Sequence, residues 1–392
     1  MGNLCYNAGM SENHDQRPQL DAERMALARA RARENRRLIP LDLGLSAGYF
    51  VLWWLLVHEP LIRWLDTTLA SFTPRLLVYV GLFGLGAVVV DLPLEAYRYR
   101  RAVHYGLSVQ SWREWFVDVL KGLVVGAILG GILVLVLYYF LQHYPATWWL
   151  WMGLVYLLFT VILAQLAPVL IMPLFLKFTP YEEDELSARL RSLAGEAGTQ
   201  VRGVFRTNLS SKTTAANAWL SGLGRTRRIV LGDTLLEHYT PDEIVSVFAH
   251  ELGHHVHRDI WHSIVLATLV NLAGFAVAGV LMRWAVGRYG FAGPGDLRAF
   301  PWLVVSLALF AFLTSPLLNA YSRGREWAAD RYAYRHGPGA RAFADALTRL
   351  TNQNLADPEP PRWQVFLFYS HPPALERIQS ANQFAVSQSR TR

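Results

Sequence analysis

Residues 122–141 read GLVVGAILGGILVLVLYYFL, a run without a single charged side chain. An α-helix needs about 20 mostly apolar residues to cross about 30 Å of hydrocarbon, so this run predicts a membrane span. Five further blocks have the same character, at residues 41–57, 76–90, 148–170, 261–282 and 302–318. The chain is 53% hydrophobic and only 17% charged. We therefore expect a mainly helical, polytopic membrane protein with about six spans.

The alternative is a large soluble protein whose core helices are equally apolar. Aromatic residues that concentrate at membrane interfaces stand at the ends of several blocks, among them Trp148, Trp261 and Trp302. Together with the near absence of charge, they favour the membrane protein.

A second pattern, His250-Glu251-Leu-Gly-His254, lies in a predicted helix. The start of that helix is indicated by an N-cap, a proline at the first position and a capping-box acid: Thr240, Pro241 and Glu243. Histidines four residues apart project from one helical face, so both can reach one Zn²⁺. Glu251 lies beside the metal and can take a proton from a water molecule that the metal activates. A chance occurrence of the pattern is the alternative.

A third protein ligand must come from elsewhere, and Glu326 is the best candidate. Asp330 follows it by four residues and shares its helical face, so Glu326 can bind the metal while Asp330 accepts the free N–H of a ligating imidazole. A surface helix whose arginines pair with these acids explains the pattern equally well. His255 and His257 are not expected as ligands, because one is rotated off the face and the other lies too far along the helix.

Residues 179–240 are predicted to form a polar insert between the fourth and fifth spans. Residues 182–197 indicate a helix, and residues 201–231 indicate extended pieces. Among these, Arg228-Ile-Val-Leu231 and residues 213–220 are expected to pair as a hairpin around Gly222-Leu-Gly224. An edge strand beside a metallopeptidase helix can hold an extended peptide by main-chain hydrogen bonds. A purely structural hairpin is an equally good interpretation.

Arginines set the expected orientation. They crowd the first forty residues, which should stay in the cytosol. Alternation of the spans then predicts a basic cytosolic arm (1–40), four spans (41–172), a cytosolic catalytic insert (173–260), two further spans (261–318) and a cytosolic C-terminal region (319–392). The arginines in the loop before the last span disagree with this arrangement: Arg283, Arg288 and Arg298.

The net charge of +7 does not indicate nucleic-acid binding, because no recognition motif accompanies it. We assign the excess of arginine to topology and to contact with anionic membrane lipids. Cys5 is the only cysteine, which excludes a disulfide framework and a cysteine metal cluster.

Several separated motifs follow one another in the order of a known family. They are Leu92-Pro-Leu-Glu-Ala-Tyr97, Lys177-Phe-Thr-Pro180, Asn217-Ala218, Arg228-Ile-Val-Leu-Gly-Asp-Thr-Leu-Leu236, His250-Glu-Leu-Gly-His254, Glu326 with Ala329-Asp330, and His371-Pro-Pro-Ala-Leu-Glu-Arg377. Over residues 91–378 the chain resembles the type I CAAX prenyl proteases, which are integral-membrane zinc metallopeptidases related to the heat-shock membrane peptidases of bacteria.

This resemblance implies one Zn²⁺ per chain, held by three side chains: His250, His254 and Glu326. It implies that Glu251 is the general base and that Asp330 supports a ligand. It also assigns residues to the substrate. Asn217 and Ala218 should line the substrate strand, and His371, with Arg377 nearby, should steady the developing oxyanion or the substrate backbone.

We therefore expect a membrane-embedded zinc endopeptidase that cuts membrane-associated or lipidated polypeptides, in CAAX-type processing or membrane-protein quality control. The arginine-rich, cysteine-poor chain indicates a bacterial inner membrane, with the active site facing the cytosol. The alternative is a catalytically idle membrane scaffold or transporter with a structural zinc site. Glu251 favours the enzyme, since a structural site has no need of an acid between the two histidines.

Overall fold

The computed structural model describes residues 17–222 and 227–391, and most of them are helical. The first helices are α1 (Ala22–Leu52), α2 (Glu59–Thr68), α3 (Phe72–His104), α4 (Trp112–His143) and α5 (Trp148–Leu166). After them come α6 (Glu185–Glu196), α7 (Asp233–His238), α8 (Pro241–Val256), α9 (Asp259–Tyr289), α10 (Phe300–His336), α11 (Ala340–Gln353), α12 (Arg362–Phe368) and α13 (Ala374–Thr391). Short π-helical segments follow α1 and α5, at Trp53–His58 and Ala167–Ile171.

Among the described residues, six helical stretches are long and apolar enough to cross a membrane: Ala22–Thr68, Phe72–His104, Trp112–His143, Trp148–Leu174, Asp259–Tyr289 and Leu297–His336. Each contains one predicted block, so the prediction of a six-span polytopic membrane protein is confirmed. Many of their apolar side chains remain exposed, such as Leu55 (72%) and Leu317 (70%). Exposed apolar surface of this extent is expected where a helix contacts lipid.

The basic arm and the first span are parts of one helix. The sequence places a boundary at residue 40, whereas α1 runs without a break from Ala22 to Leu52. Alanine, arginine, leucine and glutamate are all good helix formers, and α1 continues through Pro40 at the boundary although proline removes one main-chain hydrogen bond. The composition of α1 changes from charged to apolar along its length, while its backbone remains helical.

A four-stranded sheet lies between the fourth and fifth spans. Its strands are β1 (Phe178–Pro180), β2 (Val204–Thr207), β3 (Ala218–Ser221) and β4 (Arg228–Gly232), in the order β1-β2-β4-β3. Strands β3 and β4 are antiparallel, which confirms the predicted hairpin; part of its expected turn, at residues 223–224, lies outside the described residues. The parallel pairing of β2 with β4 was not predicted. It joins segments that local sequence patterns do not relate.

Helix α8 passes beneath this sheet and against α10. Ile244, Phe248 and Leu252 lie in the core that α8 shares with α6, the sheet, α11 and α13. The two helices approach closely at Gly253, where a Cβ atom would meet the Cα of Ala329 at 2.9 Å. Only glycine allows two helix backbones to come so near at this point. The contact brings the histidine face of α8 against α10.

Candidate metal centre

The helix that carries the two histidines begins as the sequence predicts. The Thr240 hydroxyl accepts a hydrogen bond from the Glu243 N–H at 3.3 Å, and Glu243 accepts one from the Thr240 N–H at 2.8 Å. Arg349 of α11 donates to the same carboxylate at 2.8 Å, which ties the start of α8 to the C-terminal region. This anchored capping box fixes the register of the turns that follow.

One ligand atom from each of His250, His254 and Glu326 lies within 4.8 Å of the other two. The two imidazole Nε2 atoms are 3.2 Å apart, and they lie 3.4 Å and 3.3 Å from the Glu326 carboxylate oxygens. Glu326 Oε2 is buried and has no hydrogen-bond partner among the described residues. Two histidines and one glutamate form a donor set found in catalytic zinc sites, and the orphaned oxygen gives a cation something to bind. The cluster therefore fits a divalent metal.

The outer nitrogen of each histidine is held by an aspartate. His250 Nδ1 is 2.9 Å from Asp330 Oδ1, and His254 Nδ1 is 2.9 Å from Asp259 Oδ2. A carboxylate at Nδ1 keeps the proton there and leaves Nε2 free as a ligand. Both rings are therefore already turned with Nε2 towards Glu326.

Each of these aspartates is bound in turn by an arginine. Arg377 of α13 grips Asp330 with two hydrogen bonds, at 2.8 Å and 2.6 Å. Arg325 of α10 donates to Asp259 at 2.5 Å. The guanidinium groups hold the two carboxylates in place.

Sequence reasoning missed Asp259. It follows Arg258, whose left-handed backbone (φ of 55°) separates α8 from α9. This turn directs Asp259, the first residue of α9, back towards His254. The available signal was an acid five residues beyond the second histidine, but nothing local predicts the left-handed backbone that aims it. His255 and His257 do not join the metal cluster; the His257 ring lies across that of Tyr332.

Glu251 lines the same cavity as His250 and Glu326. Burial raises the pKa of its carboxyl, against the opposing effect of the neighbouring histidines. A raised pKa makes the carboxylate a stronger base than an exposed glutamate. It lies beside the ligands and outside their cluster.

His371 and Arg377 reach the centre from the other side. His371 Nε2 lies 3.3 Å from Glu326 Oε1, its side chain is 60% exposed, and its Nδ1 contacts the Ser370 hydroxyl at 2.9 Å. Arg377 is buried in the wall of the same cavity, and its guanidinium binds Asp330 and lies 3.6 Å from Glu326 Oε2. The structure thus places His371 where substrate can meet it, whereas the position of Arg377 favours support of Asp330.

Strand β3 forms an edge of the sheet and a wall of the cavity. The Asn217 carbonyl accepts a hydrogen bond from the Gly232 N–H at 3.0 Å, and Ala218 is paired in register with Leu231. Main-chain groups of an antiparallel strand point alternately to its two sides. Since Asn217 bonds to β4, the N–H and C=O of Ala218 point towards the free edge.

The cavity has a volume of about 640 Å³. It runs from the metal cluster along β3, with one wall of apolar side chains from α8 and α11: Val247, Phe343, Leu347 and Leu350. An open edge strand, an apolar wall and a metal cluster at one end form a cleft of the size that an extended peptide segment needs.

Comparison with known proteins identifies the family of the chain. A model of Peptidase family M48 matches residues 180–385, more than half of the chain. The chain belongs to peptidase family M48. A second model, for the CAAX prenyl protease N-terminal region with five membrane helices, matches residues 15–177 of this M48 peptidase. The described residues of that region contribute four of the six candidate spans.

Two relatives of this M48 peptidase are each 30% identical to it. One is the uncharacterized metalloprotease YhfN of Bacillus subtilis, aligned over 88% of this chain and 81% of its own. The other is CAAX prenyl protease 1 of Saccharomyces cerevisiae, aligned over 79% and 72%. The crystal structure of S. mikatae Ste24p shares the fold, with a TM-score of 0.81, 24% identity and coverage of 92% and 89%. The predicted family resemblance is confirmed.

Membership in the M48 family makes the chain a metal-dependent peptidase of the membrane, with a polypeptide as substrate. The alternative of a scaffold or transporter with a structural metal is not favoured.

Proposed function

We propose that this M48 peptidase is a zinc endopeptidase of a bacterial inner membrane. It cuts membrane-associated or lipidated polypeptides on the cytosolic side. The observation that carries the proposal is the convergence of His250, His254 and Glu326 beside Glu251, at the end of a cleft walled by an edge strand. Two histidines with one glutamate suit zinc, and the acid between the histidines suits hydrolysis.

Each residue of the site has a task in that reaction. When bound, the metal lowers the pKa of a water molecule from about 15.7 towards about 7 and polarises the scissile carbonyl. Glu251 takes the proton from the attacking water and delivers it to the leaving amine. His371, whose imidazole is exposed beside Glu326, donates to the oxyanion as it develops. Asn217 and Ala218 belong to the strand that holds the substrate extended.

The orientation follows from charge. Basic residues crowd α1 and the end of α3, among them Arg98, Arg100 and Arg101, and the chain just after α3 is bonded to the insert that carries the sheet, from the Thr214 N–H to the Leu107 carbonyl. The positive-inside rule assigns the side of these basic residues to the cytosol. Arg31 of α1 donates a hydrogen bond to the Leu355 carbonyl in the catalytic half, and Arg101 of α3 forms an ion pair with Glu34 of α1. These contacts keep the basic ends of α1 and α3 together.

Metal analysis tests the proposal. Protein purified in detergent should contain one zinc per chain and cleave an internally quenched peptide. Chelation by 1,10-phenanthroline should abolish cleavage, and added Zn²⁺ should restore it, because the three ligands close on one ion. A protein that cleaves equally well after its metal has been stripped would contradict the proposal.

The substrate class needs a separate comparison. Prenylated and unprenylated copies of one peptide, ending in a CAAX sequence, should be cleaved at different rates if the lipid takes part in recognition. Equal rates indicate quality control of membrane-associated chains instead.

Substitutions separate the ligand from its neighbours. Glu326→Ala should lose the zinc, whereas Asp330→Ala and Asp259→Ala should weaken zinc affinity by roughly 10- to 100-fold, the usual effect of losing the partner of a ligating histidine. Zinc content and competition with a chromophoric chelator measure the two effects. His255→Ala is the matched control and should hold zinc normally. Equal zinc content in Glu326→Ala and the wild type would remove Glu326 from the ligand set.

A further inference from the structure

The end of α11 and the turn after it, residues 352–357, touch three parts of the molecule: the N-terminal helix, the edge strand and the cavity. On its inner side Asn354, Ala356 and Asp357 line the same cavity as Ala218 and His250. None of the three belongs to the metal centre. Their position raises the question of what the turn does for the cleft.

The inner contact of the turn is with the chain that leads into β3. The Asn354 side-chain carbonyl accepts a hydrogen bond from the Ala216 N–H at 3.1 Å, two residues before Ala218. Next to it, the Gln353 amide donates to the Thr214 carbonyl at 2.7 Å. Strand β4 holds β3 from one side, and these bonds fix the entry to the strand from a second direction.

The outer contact is with the basic half of α1. Arg31 donates to the carbonyls of Asn354 and Leu355, at 3.4 Å and 3.2 Å. Arg24 donates to the carbonyl of Asn352 at 3.1 Å. Helix α1 therefore binds three main-chain carbonyls in and beside the turn.

The backbone of the turn is strained at one residue. Leu355 has a φ of 44°, in the left-handed region that bulky residues rarely adopt. Its side chain is buried in a small cluster with residues of α1 and of the loop after α3: Met25, Ala28 and Leu107. Such a conformation persists only where its surroundings impose it. The shape of the turn thus depends on the docking of α1.

We propose that Asn354 is a positioning residue that sets the edge strand β3 at the distance from α8 at which its free edge can pair with a peptide. The basic half of α1 holds Asn354 in that place. This inference rests on the proposed function in one respect, because it takes β3 as the strand that binds substrate. It assigns to the N-terminal helix a part in substrate binding, although α1 does not line the cavity.

Peptide binding without cleavage provides the test. The probe is a fluorescein-labelled copy of the internally quenched peptide that the wild-type protein cleaves fastest in a screen. Its Kd is measured by anisotropy in the Glu251→Gln background. Asn354→Ala should raise this Kd about tenfold, the effect of one lost hydrogen bond of ordinary strength, with zinc content unchanged. Asn354→Asp keeps the acceptor for the Ala216 N–H and should bind within about twofold of the parent.

A second pair of variants tests the role of α1. Arg31→Ala removes the donor to Asn354 and Leu355 and should raise Kd by about three- to tenfold. Arg33→Ala, at an exposed position on the same helix, should leave Kd unchanged. This pair and Asn354→Asp decide the matter if Asn354→Ala fails to fold or to hold zinc.

Unchanged peptide binding in Asn354→Ala would overturn the inference. So would an Asp variant as weak as the Ala variant, since the acceptor would then be irrelevant, and so would equal binding by Arg31→Ala and Arg33→Ala. Failure of the underlying function looks different: the wild-type protein would lack zinc or cleavage. Failure of β3 as the substrate strand would show as normal cleavage by a proline variant at Ala218.

Discussion

Glu251→Gln should keep its zinc and lose roughly 10² to 10⁴ in the rate of peptide cleavage. The side chain lines the cavity beside His250 but supplies no atom to the ligand cluster, so its removal leaves the metal held. Glutamine has nearly the same size and cannot accept the proton of the attacking water. Zinc analysis and kcat on an internally quenched peptide measure the two properties in one preparation.

The control is Glu237→Gln, an exposed acid on α7 that pairs with Arg206 at the surface. It should cleave like the wild type. Wild-type turnover by Glu251→Gln would remove Glu251 from the mechanism. Loss of zinc from the same variant would assign it to the metal instead of the water.

Ala218→Pro should lower kcat/KM by about 10²-fold while the metal content stays unchanged. The N–H of Ala218 points away from β4, towards the free edge of the sheet, so proline removes a donor that a paired peptide needs and not one that the sheet uses. Loss of this donor, with the shift in backbone that proline imposes, disturbs two main-chain contacts of roughly 1.4 kcal/mol each, and each such loss is about tenfold.

Ala218→Ser keeps the N–H and should remain largely active. Its comparison with the proline variant therefore separates the backbone from the side chain. A proline variant that folds, holds zinc and cleaves like the wild type would mean that the substrate pairs elsewhere. Cleavage by the wild type and by Ala218→Ser should depend little on the sequence of the peptide, because pairing through the main chain is tolerant of side chains.

The parts of the molecule that the sequence predicts well are those determined by local patterns of neighbouring residues. The six spans and the histidine helix depend on patterns within about 20 residues, and the capping box at Thr240 lies only ten residues before His250. The hairpin of β3 and β4 is local as well. Its confirmation follows from the same cause.

What sequence could not supply is contact between distant segments. Asp259 reaches His254 only because Arg258 adopts a left-handed conformation, and no local pattern predicts that turn. Strand β2 pairs with β4 across residues 208–227, which include β3. Arg31 meets Leu355 across more than 300 residues, so the arm that composition marks as a topogenic signal also holds a turn at the far end of the chain.

The order of the ligands along the chain has a consequence for biosynthesis. His250 and His254 lie before α9, and Glu326 lies beyond the last apolar stretch of α10, so the polypeptide crosses the hydrocarbon twice between the second ligand and the third. A nascent chain that has just completed its histidine helix cannot yet hold the metal with all three side chains. The ligand set closes only after the final helical pair has entered the bilayer and α10 has come to rest against Gly253. Proteolytic competence is thus acquired only at the end of membrane insertion, when the first four spans already anchor the chain.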